Sequence, residues 1–415
     1  MYQAPRGTAD ILPQEQSYWR YIEAKAADVC RLYGYERIEF PAFEDAGLFR
    51  RSVGEGTDVV DKEMYIFDDR GGNHLALVPE GTASVCRAYI EHGMQTQSQP
   101  VKLYYFTPVF RYDRPQAGRY RQHHQFGFEA IGDADPALDA EIIDMGWQFY
   151  RSLGLERLSL QLNSIGCKVC RPIYLKVLKE YYAAQEGQLC SDCKARAARN
   201  ILRLLDCKQA SCQPLANDAP NSSDFLCPDC AAHFASLQKY LGLLGIPFHI
   251  NHRLVRGLDY YSRTVFEIQP EEEGGQSTIG AGGRYDGLIE ELGGKPTPGI
   301  GMATGIERII LNLKKYNIAV PALPRLGVYL VCMGAEARDE MIKLAAKLRR
   351  SGIGVVESFG DRSIKAQLRH ANSLGVKHAV IIGEEELKTG TAVVRDMTSA
   401  QQQTVPLDKL PYLLQ

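Results

Sequence analysis

The sequence predicts an α+β protein whose first domain is an antiparallel sheet flanked by helices and whose second domain is small and α/β. Three observations support this prediction. Lys102–Arg111 and Arg121–Ile131 alternate in character around a polar turn-forming segment, which is typical of an antiparallel hairpin. Between Asn163 and Gly245 the pattern becomes helical, charged and cysteine-bearing, which indicates an insertion. After Pro321, strand-like and helical patterns alternate.

The chain is expected to begin with a helix that leads into an edge strand. From Gln14 to Tyr33, apolar residues recur at helical spacing, and Gly34 supplies a stop. Arg37–Phe40 is then predicted to form a strand that ends at Pro41, because proline is tolerated mainly at the edges of sheets. Further strands of the first domain are predicted at Val265–Ile268 and Gly299–Thr304.

The length of 415 residues exceeds what one compact core usually covers, so two or three domains are expected. We place the first domain at residues 1–320, with an inserted segment at about 167–245, and the second domain at 325–415. Prolines stiffen the connector between them. In the second domain we expect a largely parallel sheet. Its predicted strands are Leu326–Cys332, Gly354–Glu357 and His378–Ile382, and its predicted helices are Glu336–Arg350 and Ile364–Leu374.

The composition excludes several classes of protein. No stretch approaches the roughly 20 apolar residues that a membrane-spanning helix needs, so we expect no membrane partner. The first residues lack an apolar core of signal-peptide length, which favours a cytoplasmic location. A formal net charge of -2 gives no overall attraction for phosphate, so any nucleic-acid binding must depend on local basic surfaces.

The predicted hairpin carries polar residues on one face of its second strand. Gln125, Gly127 and Glu129 point to the same side of a strand, and the glycine leaves room above the sheet for a ligand. This face is therefore a candidate floor for a small polar molecule. The alternative interpretation is an Arg-rich hairpin that simply faces solvent.

Three further segments combine charged, hydroxyl and glycine residues in ways that suit a ligand site. Leu77–Ala83 places a carboxylate and a hydroxyl before a predicted helix, where a carboxylate can also act as a helix cap. Val255–Glu267 contains the run Arg-Gly-Leu-Asp-Tyr-Tyr. Gly299–Ile309 is a glycine-spaced strand that runs into a helix, and the glycines allow close approach of a nucleotide.

These segments resemble the histidyl-tRNA synthetase family of class II aminoacyl-tRNA synthetases. The hairpin from Phe110 to Glu129 resembles motif 2 of the class, and Val255–Glu267 matches the signature peculiar to the histidine enzymes. Gly299–Ile309 resembles motif 3, and the first helix with the Pro41 strand resembles motif 1, a dimer-forming element. The resemblance implies a homodimer that activates histidine with ATP and Mg²⁺ and transfers it to histidine tRNA. It also implies that the second domain binds the anticodon.

The resemblance assigns roles to several basic and amide side chains. Arg111 would hold the α-phosphate of ATP, and Arg308 would pack on adenine and reach the γ-phosphate. Arg256 would lie beside the reacting carboxylate and α-phosphate, so with Arg111 it is the expected catalytic pair. Arg114 and Gln116, in the hairpin loop, would contact the acceptor end of the tRNA.

The resemblance also defines a histidine pocket. Glu129 and Tyr261 would pair with the two imidazole nitrogens, which discriminates against other amino acids because they would leave buried polar groups unpaired. Glu80 and Thr82 would bind the α-ammonium with help from Gln125. The implied histidine-binding residues are Glu80, Thr82, Gln125, Glu129, Arg256, Tyr260 and Tyr261. Gly280–Asp286 also matches the family and is expected nearby.

The insertion contains cysteines at metal-binding spacing. The pairs Cys167/Cys170 and Cys190/Cys193 have the spacing of a four-thiolate zinc site, which would be structural. A second set is then expected from Cys207, Cys212, Cys227 and Cys230, although other pairings, and plain reduced thiols, stay open. Cys30, Cys86 and Cys332 are interpreted as small buried apolar residues.

Two other functions fit the same fold. A catalytically inactive relative can serve as the histidine-binding regulatory subunit of a phosphoribosyltransferase, but such relatives typically lose the catalytic arginines or the Val255–Glu267 segment and lack the terminal domain. An RNA-sensing or polymerase-accessory module would tolerate a broken histidine pocket. The presence of Glu129, Tyr260 and Tyr261 disfavours that second alternative.

Overall fold

The computed structural model describes residues 2–54, 57, 59–114, 118–271, 278–324, 326–360 and 362–414. The chain divides into two compact units, Met1–Pro321 and Ala322–Gln415. None of the described helices is long and apolar enough to cross a membrane.

The first unit contains a large sheet and a small one. Its strands, in chain order, are β1 (Glu36–Arg37), β2 (Phe43–Asp45), β3 (Ile66–Asp68), β4 (His74–Leu77), β5 (Val101–Phe110), β6 (Gln122–Ile131), β7 (Leu158–Ser164), β8 (Phe248–Ile250), β9 (Ser262–Pro270), β10 (Gly280–Arg284) and β11 (Gly299–Gly305). Its helices are α1 (Gln16–Tyr33), α2 (Ala46–Val53), α3 (Thr82–Glu91), α4 (Pro136–Ser152), α5 (Arg171–Ala183), α6 (Ser191–Ala197), α7 (Gln213–Asn217), α8 (Pro228–Leu243), α9 (Leu288–Glu291) and α10 (Ile306–Lys315).

The large sheet has eight strands in the order β1-β5-β6-β11-β10-β9-β7-β8. Its central strands run antiparallel, and the predicted hairpin is confirmed as β5 and β6. The first helix ends at Gly34, which adopts a left-handed conformation (φ 76°), as predicted for a stop. The strand that follows is β1, which pairs with β5 at the sheet edge and is shorter than the predicted Arg37–Phe40.

The side chains of β6 lie on two different faces of the large sheet. Phe126 and Phe128 point into an apolar core shared with α1, α4, α8 and α10. Because successive side chains of a strand alternate between faces, Gln125 and Glu129 point to the opposite side. That side carries a second apolar cluster built around Tyr105 and residues of α3. One face of the sheet thus provides stability and leaves the other face available to line a cavity.

The insertion connects β7 to β8 and brings its cysteines together in two sets. Set A is Cys167, Cys170, Cys227 and Cys230, and set B is Cys190, Cys193, Cys207 and Cys212. The predicted grouping of Cys167 and Cys170 with Cys190 and Cys193 is therefore wrong. The Cys-x-x-Cys spacing identifies each local pair correctly. However, α5 leads the chain away from set A before Cys190, and the chain returns to set A with Cys227 and Cys230 at the start of α8.

The second unit is a five-stranded mixed sheet with helices. Its strands are β12 (Val328–Cys332), β13 (Val355–Glu357), β14 (His378–Ile382), β15 (Thr391–Asp396) and β16 (Gln402–Pro406), and its helices are α11 (Ala335–Arg350), α12 (Ile364–Ser373), α13 (Glu384–Thr389) and α14 (Leu410–Leu413). The expectation of parallel pairing is confirmed for β12 with β13 and with β14. The antiparallel strands β15 and β16, which the sequence analysis did not predict, extend the sheet.

Candidate active site

A cavity of about 1620 Å³ opens on the face of the large sheet opposite the helical core. Segments that lie far apart in the sequence line it. The predicted site residues on its wall are Glu80, Thr82, Arg111, Gln125, Glu129, Arg256, Tyr260, Tyr261 and Arg308.

Glu129 is the most enclosed charged group of the cavity, with 1% of its surface exposed. Its carboxylate accepts hydrogen bonds from Thr82 Oγ1 (2.7 Å), Tyr285 OH (2.8 Å) and Tyr105 OH (3.3 Å). Burial raises the pKa of Glu129 to about 8, although the three hydroxyl donors act in the opposite direction. We call the part of the cavity around Glu129 and Glu80 the acidic end.

Glycines make room for these side chains. Gly301 lies directly opposite Glu129 in the pairing of β6 with β11, and a Cβ atom at Gly301 would overlap the Glu129 carboxylate. Gly127 lies opposite Tyr105, and a Cβ atom there would overlap the tyrosine hydroxyl. The expected open space above Gly127 is therefore filled by Tyr105, whose hydroxyl binds Glu129.

Glu80 lies at the start of α3 and is buried. Its two carboxylate oxygens accept hydrogen bonds from the backbone N–H groups of Thr82 and Ala83, both at 2.9 Å, so it caps the helix. Tyr260 OH also donates to it at 3.2 Å. Burial raises the pKa of Glu80, while the backbone donors oppose the shift. Capping fixes one side of the carboxylate and leaves Glu80 on the cavity wall.

Arg256 forms an ion pair with Glu267 on β9. The second oxygen of Glu267 accepts a hydrogen bond from Thr278 Oγ1 at 2.7 Å, so the carboxylate is fixed on both sides. The guanidinium carbon of Arg256 lies 5.9 Å from the centre of the Tyr261 ring. Its buried Nε atom has no hydrogen-bond partner among the described residues. A buried donor without a partner is costly, and a ligand oxygen would satisfy it.

Backbone carbonyl groups hold two arginines of the cavity wall. Arg111 Nε donates to the carbonyl of Pro79 at 2.8 Å, and Arg308 Nη1 donates to the carbonyl of Thr278 at 2.6 Å. These contacts orient both guanidinium groups without neutralising their charges. Burial, together with the charges of Arg111 and Arg308, lowers the pKa of His123 to about 3, so this wall residue is neutral at pH 7. We call this part the basic end.

A buried ionic network lies beneath β9 and β10. Arg284 Nε donates to one oxygen of Asp139 at 2.6 Å. The second oxygen of Asp139 accepts from Thr264 Oγ1 (2.6 Å) and lies 2.8 Å from His233 Nε2. The network joins α4, α8, β9 and β10, and it fixes the strand end that precedes Tyr285.

Most of the predicted site residues line the cavity. Arg114 does not line the cavity, and Gln116 lies outside the described residues. Sequence reasoning did not single out the wall residues Tyr285, Glu267 and His123. A signal for Tyr285 existed, because it lies in the Gly280–Asp286 segment that was expected near the pocket. The wall also includes basic residues of the insertion, Arg196, Arg199, Arg203 and Lys208.

Comparisons with known proteins agree with this geometry. The family model described as histidyl-tRNA synthetase matches residues 7–309, and the model described as anticodon binding domain matches residues 327–415. A histidine–tRNA ligase of Dehalococcoides mccartyi is 64% identical over 410 residues, which cover 99% of this chain and 98% of that protein. The crystal structure of an apo histidyl-tRNA synthetase from S. aureus has a TM-score of 0.84 at 38% identity and covers 100% of both chains.

A more distant structure shows the fold alone. It is described as an ATP phosphoribosyltransferase regulatory subunit/histidyl-tRNA synthetase from Bacillus halodurans C, with a TM-score of 0.65 at 22% identity over 92% of this chain. At that distance the fold does not separate an enzyme from a regulator. The match of the family model over residues 7–309 and the 64% identity to the Dehalococcoides mccartyi protein do show family membership. The chain therefore belongs to the histidyl-tRNA synthetase family, and an anticodon-binding domain follows the region that matches the synthetase model.

Proposed function

We propose that the chain uses ATP to activate histidine and then attaches the histidyl group to tRNA, and that both steps occur in the cavity of the first unit. The observation that carries the proposal is that one cavity holds both buried carboxylates and arginines that the backbone orients. Glu80 and Glu129 are the carboxylates, and Arg111 and Arg308 are the arginines. An amino acid with a cationic ammonium group suits the carboxylates, and a triphosphate suits the arginines.

Histidine would bind with its side chain toward Glu129. The carboxylate accepts a hydrogen bond from one imidazole N–H, and Tyr261 pairs with the other ring nitrogen. Glu80, Thr82 and Gln125 hold the α-ammonium group, and Tyr260 keeps Glu80 in place through its hydroxyl. Specificity follows because an amino acid without the ring N–H leaves the buried Glu129 carboxylate short of a donor.

Activation requires that a histidine carboxylate oxygen attack the α-phosphorus of ATP as pyrophosphate leaves. Arg111 would bind the α-phosphate, and Arg256 would lie between the carboxylate and the phosphate with its Nε available to an oxygen. Arg308 would contact adenine and the γ-phosphate. No side chain of the chain acts as a nucleophile. Glu267 keeps Arg256 extended into the cavity through their ion pair.

Mg²⁺ suits this site as an ion that arrives with ATP. Among the described residues, the groups of three or more metal-ligating side chains are the two cysteine sets, whose soft sulfur atoms do not suit Mg²⁺. Phosphate oxygens and water would then supply most of its ligands, and the ion would neutralise phosphate charge.

Transfer follows when a hydroxyl of the 3′-terminal ribose of the tRNA attacks the histidyl carbonyl and AMP leaves. Arg114 and Gln116, in the β5–β6 loop, would contact the acceptor end of histidine tRNA. The second unit would bind the anticodon, consistent with its family match. The β1 edge of the large sheet would pair two copies into a homodimer. A cytoplasmic location goes with these substrates.

The test is histidine-dependent exchange of labelled pyrophosphate into ATP, followed by a tRNA charging assay. Wild type is expected to exchange with histidine alone, and Arg256→Ala to lose on the order of 100- to 1000-fold in rate because it removes a donor to the transition state. Arg256→Lys keeps the charge but not the planar donor geometry, so partial activity is expected. A folded, histidine-binding wild type without exchange would instead make the chain a regulatory subunit.

A further inference from the structure

The eight cysteines of the insertion are arranged differently from the other three. All eight lie in set A or set B, and within each set the four sulfur atoms lie within 4.8 Å of one another. Cys30, Cys86 and Cys332 lie apart in apolar cores. Plain reduced thiols would need no such convergence, since a free cysteine packs as a small apolar residue.

The distances between sulfur atoms suit a single tetrahedral ion. Cys167 Sγ lies 3.8 Å from Cys170 Sγ and 3.9 Å from Cys227 Sγ in set A. In set B, Cys190 Sγ lies 3.9 Å from Cys207 Sγ. Four sulfurs placed about 2.3 Å from a central Zn²⁺ in a tetrahedron are separated by about 3.8 Å. A disulfide would require about 2.05 Å.

Backbone N–H groups point at the sulfur atoms, as they do around thiolates that bind metal. In set A, the N–H of Cys167 donates to Cys170 Sγ (3.3 Å) and that of Val169 donates to Cys167 Sγ (3.4 Å). Gly166 adopts φ +73°, and a Cβ atom there would lie 2.8 Å from Cys170 Sγ, so glycine suits this turn.

Set B repeats the arrangement. The N–H of Cys193 donates to Cys190 Sγ at 3.4 Å, and that of Cys190 donates to Cys212 Sγ at 3.3 Å. Such donors stabilise negative charge on sulfur and orient the ligands. The same feature in two separate sets argues for two built sites.

We propose that the insertion binds two structural zinc ions, one in set A and one in set B. Set A joins the end of β7 to the start of α8, and set B closes the segment that contains α6 and ends at the start of α7. Zinc is the ion that four thiolates in a closed tetrahedral site favour, and such sites contribute directly to folding.

The two sites flank the segment that carries Arg256 and Tyr261. Next to set A, Arg171 Nη1 donates to the carbonyl of Tyr261 at 2.9 Å. Within the span closed by set B, Asn200 Nδ2 donates to Asp259 Oδ1 at 2.8 Å. The zinc ions thus hold the parts of the insertion that brace the Arg256–Tyr261 segment.

The first experiment measures metal content in the full-length protein, purified under reducing conditions without chelator. Mass spectrometry of the metal is expected to give two zinc ions per chain. Cys167→Ser and Cys190→Ser are each expected to retain one, and the double variant none. Cys332→Ala, a buried cysteine outside both sets, is the matched control and is expected to retain two. One ion in wild type would overturn one of the two sites, and iron in place of zinc would overturn the identity of the metal.

A second measurement, on wild type, tests the proposal even if the cysteine variants fail to fold. Wild type stripped of metal with a mercurial reagent and then reduced should take up two Co²⁺ per chain with the visible absorption of tetrahedral thiolate sites. Removal of metal should also expose the insertion to protease cleavage, and zinc should restore protection. Folded, fully reduced protein that neither contains nor takes up these ions would overturn the proposal, as would disulfides within the sets.

Discussion

At the acidic end of the cavity, side-chain hydroxyl groups hold Glu129, whereas at the basic end backbone carbonyl groups hold the two arginines. Glu129 is bound by hydroxyl groups from Thr82, Tyr105 and Tyr285, which come from three separate parts of the chain. Arg111 and Arg308 are each oriented by a carbonyl oxygen and keep their positive charge. Glu129 is therefore enclosed by hydroxyl donors, whereas the two guanidinium groups are oriented by neutral carbonyl acceptors.

On the proposed function, this difference would separate recognition of histidine from chemistry on ATP. A buried carboxyl group held by hydroxyl donors discriminates between ligands, because a ligand that cannot pair with it leaves a buried polar group unsatisfied. Charges that are oriented but not neutralised can respond to negative charge that develops in a transition state. Substitutions at the basic end should therefore change kcat, and those at the acidic end should change binding of histidine.

The largest effect is expected from Arg111→Ala. The loss of one guanidinium from the α-phosphate site should lower kcat for pyrophosphate exchange on the order of 100- to 1000-fold, with little change in KM for histidine. Steady-state exchange kinetics measure both values. Arg151→Ala, at an exposed position outside the cavity wall, is the matched control and should behave like wild type. A rise in KM for histidine with an unchanged kcat would contradict the division between the two ends.

An intermediate effect is expected from Glu129→Gln, which preserves size but cannot carry the negative charge that a bound imidazole N–H would stabilise. Three hydroxyl donors would then face an amide, and the ligand would lose a charged partner. A hydrogen bond to a charged group contributes about 1.5–3 kcal/mol, so kcat/KM for histidine should fall about 10- to 100-fold. Exchange measured at varied histidine and varied ATP separates the two ligands. An equal rise in KM for ATP would show that the ends do not act independently.

A third effect, on folding instead of catalysis, is expected in the pH dependence of stability. Folding raises the pKa of Glu129 from 4.5 to about 8 because the carboxyl is buried. Its contribution to stability is therefore complete below about pH 4.5 and is lost as the pH rises toward 8. Glu129→Gln has no group to ionise, so its stability relative to wild type should increase from pH 5 to pH 9.

Chemical unfolding at pH 5, 7 and 9 measures this difference. Glu23→Gln, on the exposed face of α1, is the control and should track wild type across the range. A difference between Glu129→Gln and wild type that stays constant with pH would mean that the raised pKa is not present in the folded protein.

Much of the fold was predictable from the local sequence pattern. The hairpin of β5 and β6 was predictable because alternation along a strand assigns Phe126 and Phe128 to one face and Gln125 and Glu129 to the other. The stop at Gly34 was predictable because glycine readily adopts a left-handed conformation. The strands β15 and β16 were not predicted, and they make the second sheet mixed instead of largely parallel.

The sequence by itself determined which residues are candidates for the site, because motif residues such as Arg256 and Glu129, which line the cavity, can be recognised from their neighbours in the chain. Only the tertiary structure decided their partners. Gly301 opposite Glu129, Tyr105 in the space above Gly127, and the joining of Cys167 with Cys227 depend on register and on where the chain returns. Spacing is a local property, whereas these contacts join residues far apart in sequence, so packing of the whole unit is needed to fix them.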